Sequence, residues 1–341
     1  CAAAEGPGRF IVCNAAEGEP GSFKDRAILQ GFAQLVFEGM TIAAAAVGAS
    51  RGILYLRREY GYMAAHMESV LAARRHAGLL GQCIPGRGDF DFDISIHLGD
   101  GAYVCGQETA LLEYLEGRRG EPRNRPPWPT TRGLRGAPTV VHNVETFAWV
   151  SCVLARGAAW FKNLGTAGSP GLKLFSVSGD CQRPGVYEFQ LGFSISELLE
   201  TVGAERVKGV QIGGASGRMI PPSQFHRTIA MEDLPYGGAI IVFGEERDML
   251  DVAGNYLRFF VRESCGQCVP CREGTRRLLD GVERLRQGRC PAVHLDRLCE
   301  LGNTIRLTSK CGLGQSAPQA FLSIVSHYRR ELMGRERHER G

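Results

Sequence analysis

The stretch Glu263-Ser-Cys-Gly-Gln-Cys-Val-Pro-Cys-Arg-Glu-Gly274 places three cysteines at three-residue intervals. A tight loop with this spacing can wrap the thiolates of Cys265, Cys268 and Cys271 around one face of a cubane iron–sulfur cluster, and a more distant cysteine then binds the fourth iron. Gly266 lets the backbone bend sharply and brings main-chain N–H groups toward the sulfurs. The spacing therefore predicts a [4Fe–4S] cluster in this part of the chain.

Three later cysteines are candidates for the fourth ligand. Cys290 precedes a proline, as a ligand of bacterial ferredoxins does, but ferredoxins leave only three residues in this gap. Cys299 lies in an apolar helical pattern and is interpreted as a core residue. Cys311 lies in Lys310-Cys-Gly-Leu-Gly314, where the glycines permit a thiolate to face a cluster. We therefore choose Cys311 as the fourth ligand.

The main alternative to a cluster is a zinc ion with four cysteine ligands. Structural zinc sites usually pair two C-x2-C knuckles rather than presenting a triple, so the spacing favours the cluster. A zinc-stabilised interaction module would give a colourless protein. The other cysteines are interpreted as buried or inert thiols. They are Cys1, Cys13, Cys83, Cys105, Cys152, Cys181, Cys290 and Cys299.

The composition is that of an ordinary soluble globular protein, with 341 residues, 44% hydrophobic and 22% charged. This length allows two or three domains, and a net charge of +4 argues against a nucleic-acid partner. Twelve cysteines are too few for a secreted disulfide scaffold, so their clustering indicates metal binding in a reducing cytoplasm. The longest apolar stretches are too short to span a bilayer, and no secretory signal opens the chain, so no direct membrane insertion is expected.

The patterning divides the chain into three segments. Residues 1–168 alternate short β-rich runs with helical stretches, including a helix from about Ala27 to Val47 and a strand over Asp91–Ile96. Residues 169–248 contain four strand candidates and one amphipathic helix, Ile195–Val202, which predict a small α+β domain. Residues 249–341 are helical. The Arg-rich loop 117–129 is either a surface for anions or a partner, or an ordinary solvated loop.

Four stretches of this chain resemble the NADH-oxidising flavoprotein subunit of respiratory complex I. The same subunit type serves as the diaphorase of NAD-linked hydrogenases and NAD-linked formate dehydrogenases. The matching stretches are Cys13-Asn-Ala-Ala-Glu-Gly-Glu-Pro-Gly-Ser-Phe-Lys-Asp-Arg26, Gly101-Ala-Tyr-Val-Cys-Gly-Gln-Glu-Thr-Ala-Leu111, Val140-Val-His-Asn-Val-Glu-Thr146 and the cysteine loop, with Cys311-Gly-Leu-Gly314 at the position of the family's fourth ligand. Within the family, the segment Ser178–Tyr187 is more similar to the soluble hydrogenase and formate dehydrogenase versions.

The resemblance implies a fold class. It consists of an α/β Rossmann-like flavin domain, N-terminally truncated here, then a ubiquitin-like β-grasp domain of the SLBB type, then a C-terminal helical bundle that carries the cluster. The three segments follow that order. The Gly-rich loop that precedes Cys1 in the family is missing, so the natural polypeptide is expected to continue upstream.

The resemblance also implies cofactors and partners. It predicts noncovalent FMN, NAD(H) as the two-electron partner, a small iron–sulfur ([2Fe–2S]) subunit, and a larger iron–sulfur or catalytic subunit. The function implied is a cytoplasmic diaphorase. The alternative is an electron-relay or scaffold subunit that keeps the [4Fe–4S] cluster but has lost FMN and NADH. A flavin absorption band in the pure protein would distinguish the two.

The matching residues carry the family's cofactor contacts by resemblance. Those expected beside FMN or the nucleotide are Asn14, Glu17, Glu19, Tyr103, Gly106, Gln107, Glu108, Arg125, Trp128, His142 and Asn143. Arg125 and Trp128 replace a family Lys and Phe near the adenosine half, where Trp can stack and Arg can hold phosphate. Taken without the resemblance, the glutamates could simply cap helices and the asparagines could be turn residues.

Three positions depart from the family pattern. Ala16 stands where an Asp is usual, Gln107 where an acid is usual, and His142 where a first Asn is usual. These departures, together with the missing loop, favour the relay alternative, whereas the retained Glu17, Glu19, Glu108 and Asn143 oppose it.

Overall fold

The structure is a computed structural model that describes residues 1–6, 8–85, 90–289 and 293–334. Its residues form two separately packed units. The first comprises Cys1–Gly18 and Phe23–Asn163, and the second comprises Glu19–Ser22 and Leu164–Gly341. Cys290 lies outside the described residues. The division into three domains at 168/169 and 248/249 stays a prediction.

The first unit is built on a four-stranded parallel sheet with the order β3-β2-β1-β4. Its elements in chain order are β1 (Phe10–Ala15), α1 (Lys24–Val47), β2 (Arg51–Leu56), a 3-10 turn (Arg58–Met63), α2 (Ala64–His76), β3 (Asp93–Leu98), α3 (Glu108–Leu115), α4 (Pro129–Arg132), β4 (Thr139–Asn143), α5 (Val144–Arg156) and α6 (Ala158–Lys162). Parallel strands buried between helices are typical of doubly wound α/β folds.

Helices α1 and α5 pack closely on each other. A Cβ added to Gly39 of α1 would lie 1.9 Å from the carbonyl oxygen of Phe147 in α5, and the Ser151 hydroxyl donates to the carbonyl oxygen of Leu35 over 2.8 Å. Among the described residues, α1 is the one helix long and apolar enough to cross a membrane. Its buried apolar residues, which include Val36, Phe37 and Met40, belong to the core of this unit. Its apolarity is therefore accounted for by packing inside the protein.

The second unit begins with a five-stranded mixed sheet of order β6-β5-β9-β7-β8. The elements are β5 (Leu172–Gly179), β6 (Gly185–Gln190), α7 (Ile195–Val202), β7 (Val207–Ile212), β8 (Arg218–Ile220) and β9 (Ala239–Gly244). The central neighbours β5 and β9 are parallel, and the other pairs are antiparallel. The four predicted strands and the predicted helix are present, and β8 is a fifth strand that the sequence did not reveal.

Helix α7 starts and ends where its sequence specifies. Ser194 and Glu197 form a reciprocal capping box at its N-terminus, and Gly203 ends it in the left-handed conformation, with φ of 65°. Its apolar face joins Phe175, Val210 and Ile240 in one hydrophobic core. These agreeing signals explain why the helix bounds predicted from sequence are correct.

The rest of the second unit is helical, as predicted. Its elements are α8 (Met249–Glu263), a π-helical turn (Pro270–Gly274), α9 (Thr275–Arg286), α10 (Val293–Thr308), α11 (Gly312–Ser316) and α12 (Gln319–Gly334). Leu257, Leu278, Ile305 and Phe321 lie in their shared core. Tyr328 of α12 donates to the Lys208 carbonyl over 2.7 Å, which ties the helices to β7.

Candidate cofactor sites

The chain reverses direction across the first sheet between β1 and β4. It winds outward through β1, β2 and β3 and then returns to the other side of β1 to form β4. Ligands of open α/β sheets bind in the crevice beyond the carboxyl ends of the strands at such a switch point. Asn14 and Asn143, which are direct register partners, lie at the ends of these two strands. The fold therefore brings both predicted asparagines to the expected crevice.

A buried charged network supports Asn143. The Lys24 ammonium, at the start of α1, contacts Asp25 over 2.5 Å and Glu145 over 3.0 Å, and all three side chains are buried. Burial acts to lower the pKa of Lys24, but the carboxylates of Asp25 and Glu145 outweigh it and hold that pKa above its usual value. The ammonium therefore stays charged and donates to the Asn143 Oδ1 over 2.9 Å.

The orientation of the Asn143 amide follows from its partners. An ammonium can only donate and a carboxylate can only accept, so Oδ1 faces Lys24 and Nδ2 faces Asp25, over 2.7 Å. Oδ1 also accepts from the Glu145 main-chain N–H over 3.0 Å, and Nδ2 also donates to the Asn14 carbonyl over 3.3 Å. All four hydrogen-bonding positions of this amide are used within the chain. The side-chain amide of Asn143 is fully hydrogen-bonded within the chain, and the expected contact of Asn143 with FMN stays a prediction.

Asn14 retains hydrogen-bonding capacity at the same edge. Its Nδ2 donates to the Gly106 carbonyl over 2.9 Å, and its Oδ1 accepts from the Ala16 N–H over 3.1 Å. One N–H and one lone pair remain for another partner. Gly106 has nothing closer than 3.9 Å to an added Cβ apart from its neighbours, so the space beside it is open. This donor–acceptor pair fits the polar edge of an isoalloxazine ring.

Glu17 holds the start of α1. Its carboxylate accepts from the N–H groups of Asp25 and Arg26, over 3.1 and 3.2 Å, and from the Tyr60 hydroxyl over 2.9 Å. A carboxylate at a helix N-terminus is stabilised by the free N–H groups there. The structure thus gives Glu17 the capping role that the sequence left open, and its expected place beside the flavin stays a prediction.

Glu19 belongs to the second unit. Its carboxylate accepts from the main-chain N–H of Ser216 over 3.0 Å and from the Ser216 hydroxyl over 2.7 Å. The predicted contact of Glu19 with ribose or carboxamide stays a prediction.

The N-terminus of α3 gathers four of the expected nucleotide residues. Gln107 is the N-cap of α3, and its side-chain oxygen accepts from the N–H groups of Thr109 and Ala110. At this position, where an acid is usual in the family, the amide therefore caps the helix. Glu108 pairs with Arg125 over 2.6 Å, and the Arg125 guanidinium lies 4.7 Å from the centre of the Trp128 ring. Trp128 is 53% exposed, which leaves a ring face for stacking.

His142 and Tyr103 lie near these elements. His142 contacts the Phe147 ring edge-on at 5.8 Å, and burial lowers its pKa despite the opposing charge of Glu108. Tyr103 opens the 3-10 turn Tyr103–Gly106, and its ring lies 3.0 Å from a Cβ built on Gly18. The structure therefore brings all the first-unit candidates to the strand ends, α1 or the start of α3.

The cysteine loop lies in the second unit. Cys265 and Cys268 precede the π-helical turn, Cys271 lies within it, and Cys311 is the N-cap of α11. Burial raises the pKa of Cys271 to about 11, a hydrogen bond with the Ser264 hydroxyl opposes this, and the thiols of Cys268, Cys311 and Cys265 add to the increase. The thiols of Cys265, Cys268 and Cys311 therefore all lie near Cys271.

The segment that carries Cys311 packs against the cysteine loop. A Cβ on Gly314 would lie 3.0 Å from the Cys271 Cβ, so glycine is needed where the Cys311 segment meets the loop. A zinc ion needs its sulfurs about 2.3 Å from one point, whereas a cubane gives each thiolate its own iron. The donor set thus fits the [4Fe–4S] cluster.

Comparisons with known proteins agree with both sites. The Nuo51 FMN-binding domain model matches residues 2–152, and the NADH-ubiquinone oxidoreductase-F iron–sulfur binding region matches residues 251–335. The mitochondrial NADH dehydrogenase (ubiquinone) flavoprotein 1 of Dictyostelium discoideum is 36% identical over 96% of this chain and 71% of the relative. The chain belongs to the NADH dehydrogenase flavoprotein family. The resemblance drawn from the sequence is confirmed, and with it FMN and the [4Fe–4S] cluster as the cofactors of this family.

Hydrogenase proteins are also similar to this chain. The NAD-reducing hydrogenase HoxS subunit alpha of Cupriavidus necator is 46% identical over 96% of this chain. The crystal structure of an NAD+-reducing [NiFe]-hydrogenase in the H2-reduced state superposes with a TM-score of 0.92 at 41% identity, covering 98% of this chain. The chain spans 55% of the first protein and 57% of the second.

Sequence reasoning missed the Lys24–Asp25–Glu145 network. Lys24 and Asn143 are 119 positions apart, so nothing in the sequence alone places them together. Ser264, whose hydroxyl lies 3.2 Å from the Cys271 sulfur, was also missed.

Proposed function

We propose that this chain is the electron-input and electron-output subunit, or diaphorase, of a multi-subunit NAD-linked oxidoreductase. The observation that carries the proposal is that one chain combines an FMN-binding domain, with a polar crevice at its switch point, and an iron–sulfur region in which three cysteines lie near Cys271. FMN bound there would supply hydride exchange with NAD(H) and the single-electron chemistry that links it to a [4Fe–4S] cluster.

The protein's part is orientation and electrostatics. Asn14 would hold the polar edge of the flavin through its free N–H and lone pair, while Asn143 keeps the ends of β1 and β4 together. Trp128 would stack on the adenine. Arg125, whose guanidinium lies over the Trp128 ring, would hold a phosphate. Glu17, Glu19, Tyr103, Gly106, Gln107, Glu108 and His142 complete the proposed surroundings. No side chain is required as a nucleophile.

The finer features of the proposal rest on separate observations. Cys265, Cys268, Cys271 and Cys311 are the proposed cluster ligands. The order β6-β5-β9-β7-β8, with parallel central strands and a single helix, supports a β-grasp domain of the SLBB type. The names of the relatives support partner subunits. We propose that these include a small [2Fe–2S] subunit and a larger iron–sulfur or catalytic subunit, and that the complex is cytoplasmic. The complex is an NAD-linked hydrogenase, a formate dehydrogenase or a complex I-like enzyme.

The test uses the purified complex and an artificial acceptor that takes electrons from the flavin. NADH should reduce this acceptor, and the protein should show a flavin absorption band beside the brown cluster absorption. Arg125→Ala should raise the KM for NADH by about tenfold, or about 1.4 kcal/mol, without lowering the flavin content. Arg58→Ala is the control, because the Arg58 side chain lies at the surface, 3.9 Å from Asp100. It should change neither the KM for NADH nor the flavin content. A complex with iron but no flavin would establish the relay alternative instead.

A further inference from the structure

The first unit contains a cavity of about 420 Å³ with an unusually basic lining. Its walls carry four arginines, one asparagine and one glutamate. These residues are Arg118, Arg123, Arg132, Arg135, Asn124 and Glu116. Pro127 supplies the single apolar side chain, and glycines complete the wall.

Two of the arginines are fixed by carboxylates. Arg123 bonds to Glu116 over 2.8 Å and to the Gly133 carbonyl over 2.9 Å, and both Arg118 and Arg123 also contact Glu113. Burial acts to raise the pKa of Glu113, but hydrogen bonds from Arg118 and Arg123 outweigh it and hold that pKa below its usual value. Both carboxylates are therefore already engaged by Arg118 and Arg123.

The other two arginines have no carboxylate partner in the part of the chain that the structure describes. Arg132 and Arg135 are exposed to the cavity, so four guanidinium groups face two carboxylates and a net charge of two positive remains. Arg135 adopts a left-handed conformation with φ of 51°, which is unfavourable for a residue with a Cβ. Its main-chain N–H donates to Glu116 over 2.6 Å, which fixes this conformation.

The cavity lies away from the switch-point crevice. A Cβ on Gly133 would lie 2.4 Å from the Cβ of Thr139, the first residue of β4, whereas Asn143 ends that strand. At about 3.3 Å per residue, these two ends of β4 are roughly 13 Å apart. Glu116 follows α3, whose opposite end carries Glu108. The basic lining is thus separate from the residues proposed to contact the flavin.

The lining chemistry indicates which class of ligand fits. Guanidinium forks match the oxygens of phosphate two at a time, and the Asn124 amide adds a further donor. The volume lies within the range of small-molecule sites. The cavity lacks the apolar and aromatic core on which protein partners depend, and it has no ring on which a base could stack. These features favour a compact phosphate anion over an acidic polypeptide.

We propose that this cavity binds a diphosphate group, either as free pyrophosphate or as the diphosphate of a nucleotide, through Arg132 and Arg135. Arg118, Arg123 and Asn124 form the fixed wall against which the anion lies. The site is separate from the hydride chemistry, and its existence does not depend on the diaphorase function.

Inorganic pyrophosphate is the probe, titrated calorimetrically into the full chain at low ionic strength. Arg135→Gly should weaken binding by about tenfold or more. It should also keep or raise the melting temperature, because glycine adopts the left-handed conformation without strain. Arg132→Gln should weaken binding similarly. The matched control is Arg119→Gln, since Arg119 pairs with Glu121 over 3.2 Å and does not line the cavity.

Competition experiments and the flavin content complete the test. If ADP displaces pyrophosphate competitively, the ligand is the diphosphate of a nucleotide, and if it does not, the ligand is free pyrophosphate. Either result supports the proposal when Arg119→Gln binds normally. Absence of binding, equal weakening by Arg119→Gln, or tighter binding of a Glu-rich peptide than of pyrophosphate would overturn it. Flavin content should stay unchanged in Arg135→Gly, so a failure here is distinguishable from a failure of the diaphorase proposal.

Discussion

At the scale of single residues, the ammonium of Lys24 decides the geometry of the switch-point crevice. It donates to the Asn143 Oδ1, so the Asn143 Nδ2 faces the Asp25 carboxylate and the Asn14 carbonyl near the end of β1. One charged residue thus links three elements of the first unit: α1, β1 and β4.

Replacing Lys24 by Met should be strongly destabilising. It would leave Asp25 and Glu145 buried without their counter-charge, and breaking such a pair costs about 3–5 kcal/mol. The free energy of unfolding of the full chain and its flavin content should both fall. Lys162→Met is the matched control, because Lys162 is exposed at the end of α6 and should change the unfolding free energy by less than about 0.5 kcal/mol. An unfolding free energy unaffected by Lys24→Met would refute the network.

The cluster ligands can be tested one at a time. Cys268→Ser should bleach the brown absorption and loosen the helical part of the second unit, because the binding energy of a metal site is also folding energy. The measurements are iron content per chain and the absorption spectrum. Cys299→Ser, at a half-buried thiol packed among core residues, should leave iron unchanged, and so should Cys290→Ser. Loss of iron in either of these would show that Cys311 is not the fourth ligand.

The residue scale also shows where sequence reasoning reaches its limit. The triple cysteine spacing predicts a cluster because three of the predicted ligands lie within seven consecutive residues. The capping function of Glu17 and the saturated amide of Asn143 depend on partners that only the folded chain brings near. Gln107 illustrates the same limit, since its departure from the family acid proves to be a helix cap.

At the scale of elements, α1 and α5 approach each other through Gly39. Gly39→Ala would put a methyl group 1.9 Å from the Phe147 carbonyl oxygen, so the helices would have to separate. We expect a loss of roughly 1–3 kcal/mol in the free energy of unfolding, measured by denaturant titration. Gly31→Ala on the same helix is the control, because nothing lies within 4 Å of its added Cβ. That control should be neutral or stabilising by about 1 kcal/mol. Equal effects of the two substitutions would contradict the close approach.

Elements whose signals are local could be predicted, and the others could not. The bounds of α7 are correct because its cap, its apolar face and its final glycine agree. Strand β8 has three residues and is stabilised by pairing with β7, so its own sequence carries too little periodicity to reveal it. The π-helical turn Pro270–Gly274 holds Cys271, and its geometry likewise depends on tertiary contacts rather than on propensity.

At the scale of the whole molecule, the proposed flavin contact and the proposed cluster ligands belong to different units. Asn14 lies in the first unit with Asn143, and the four cysteines proposed as cluster ligands lie in the second. Each unit packs its own core, so damage to one cofactor site need not damage the other. The two halves of the proposed activity should therefore be separable by substitution.

Cys311→Ala in the assembled complex provides the test of this separation. Removing the fourth thiolate should abolish electron transfer from NADH to the natural partner, because the route through the cluster is lost. NADH-dependent reduction of an artificial acceptor that reaches the flavin directly should persist at a substantial fraction of its original rate. Cys299→Ser should retain both activities, since that thiol packs in the helical core. If Cys311→Ala lost both activities equally while keeping its flavin, the two units would not act independently. The proposal that the two activities are separable would then be wrong.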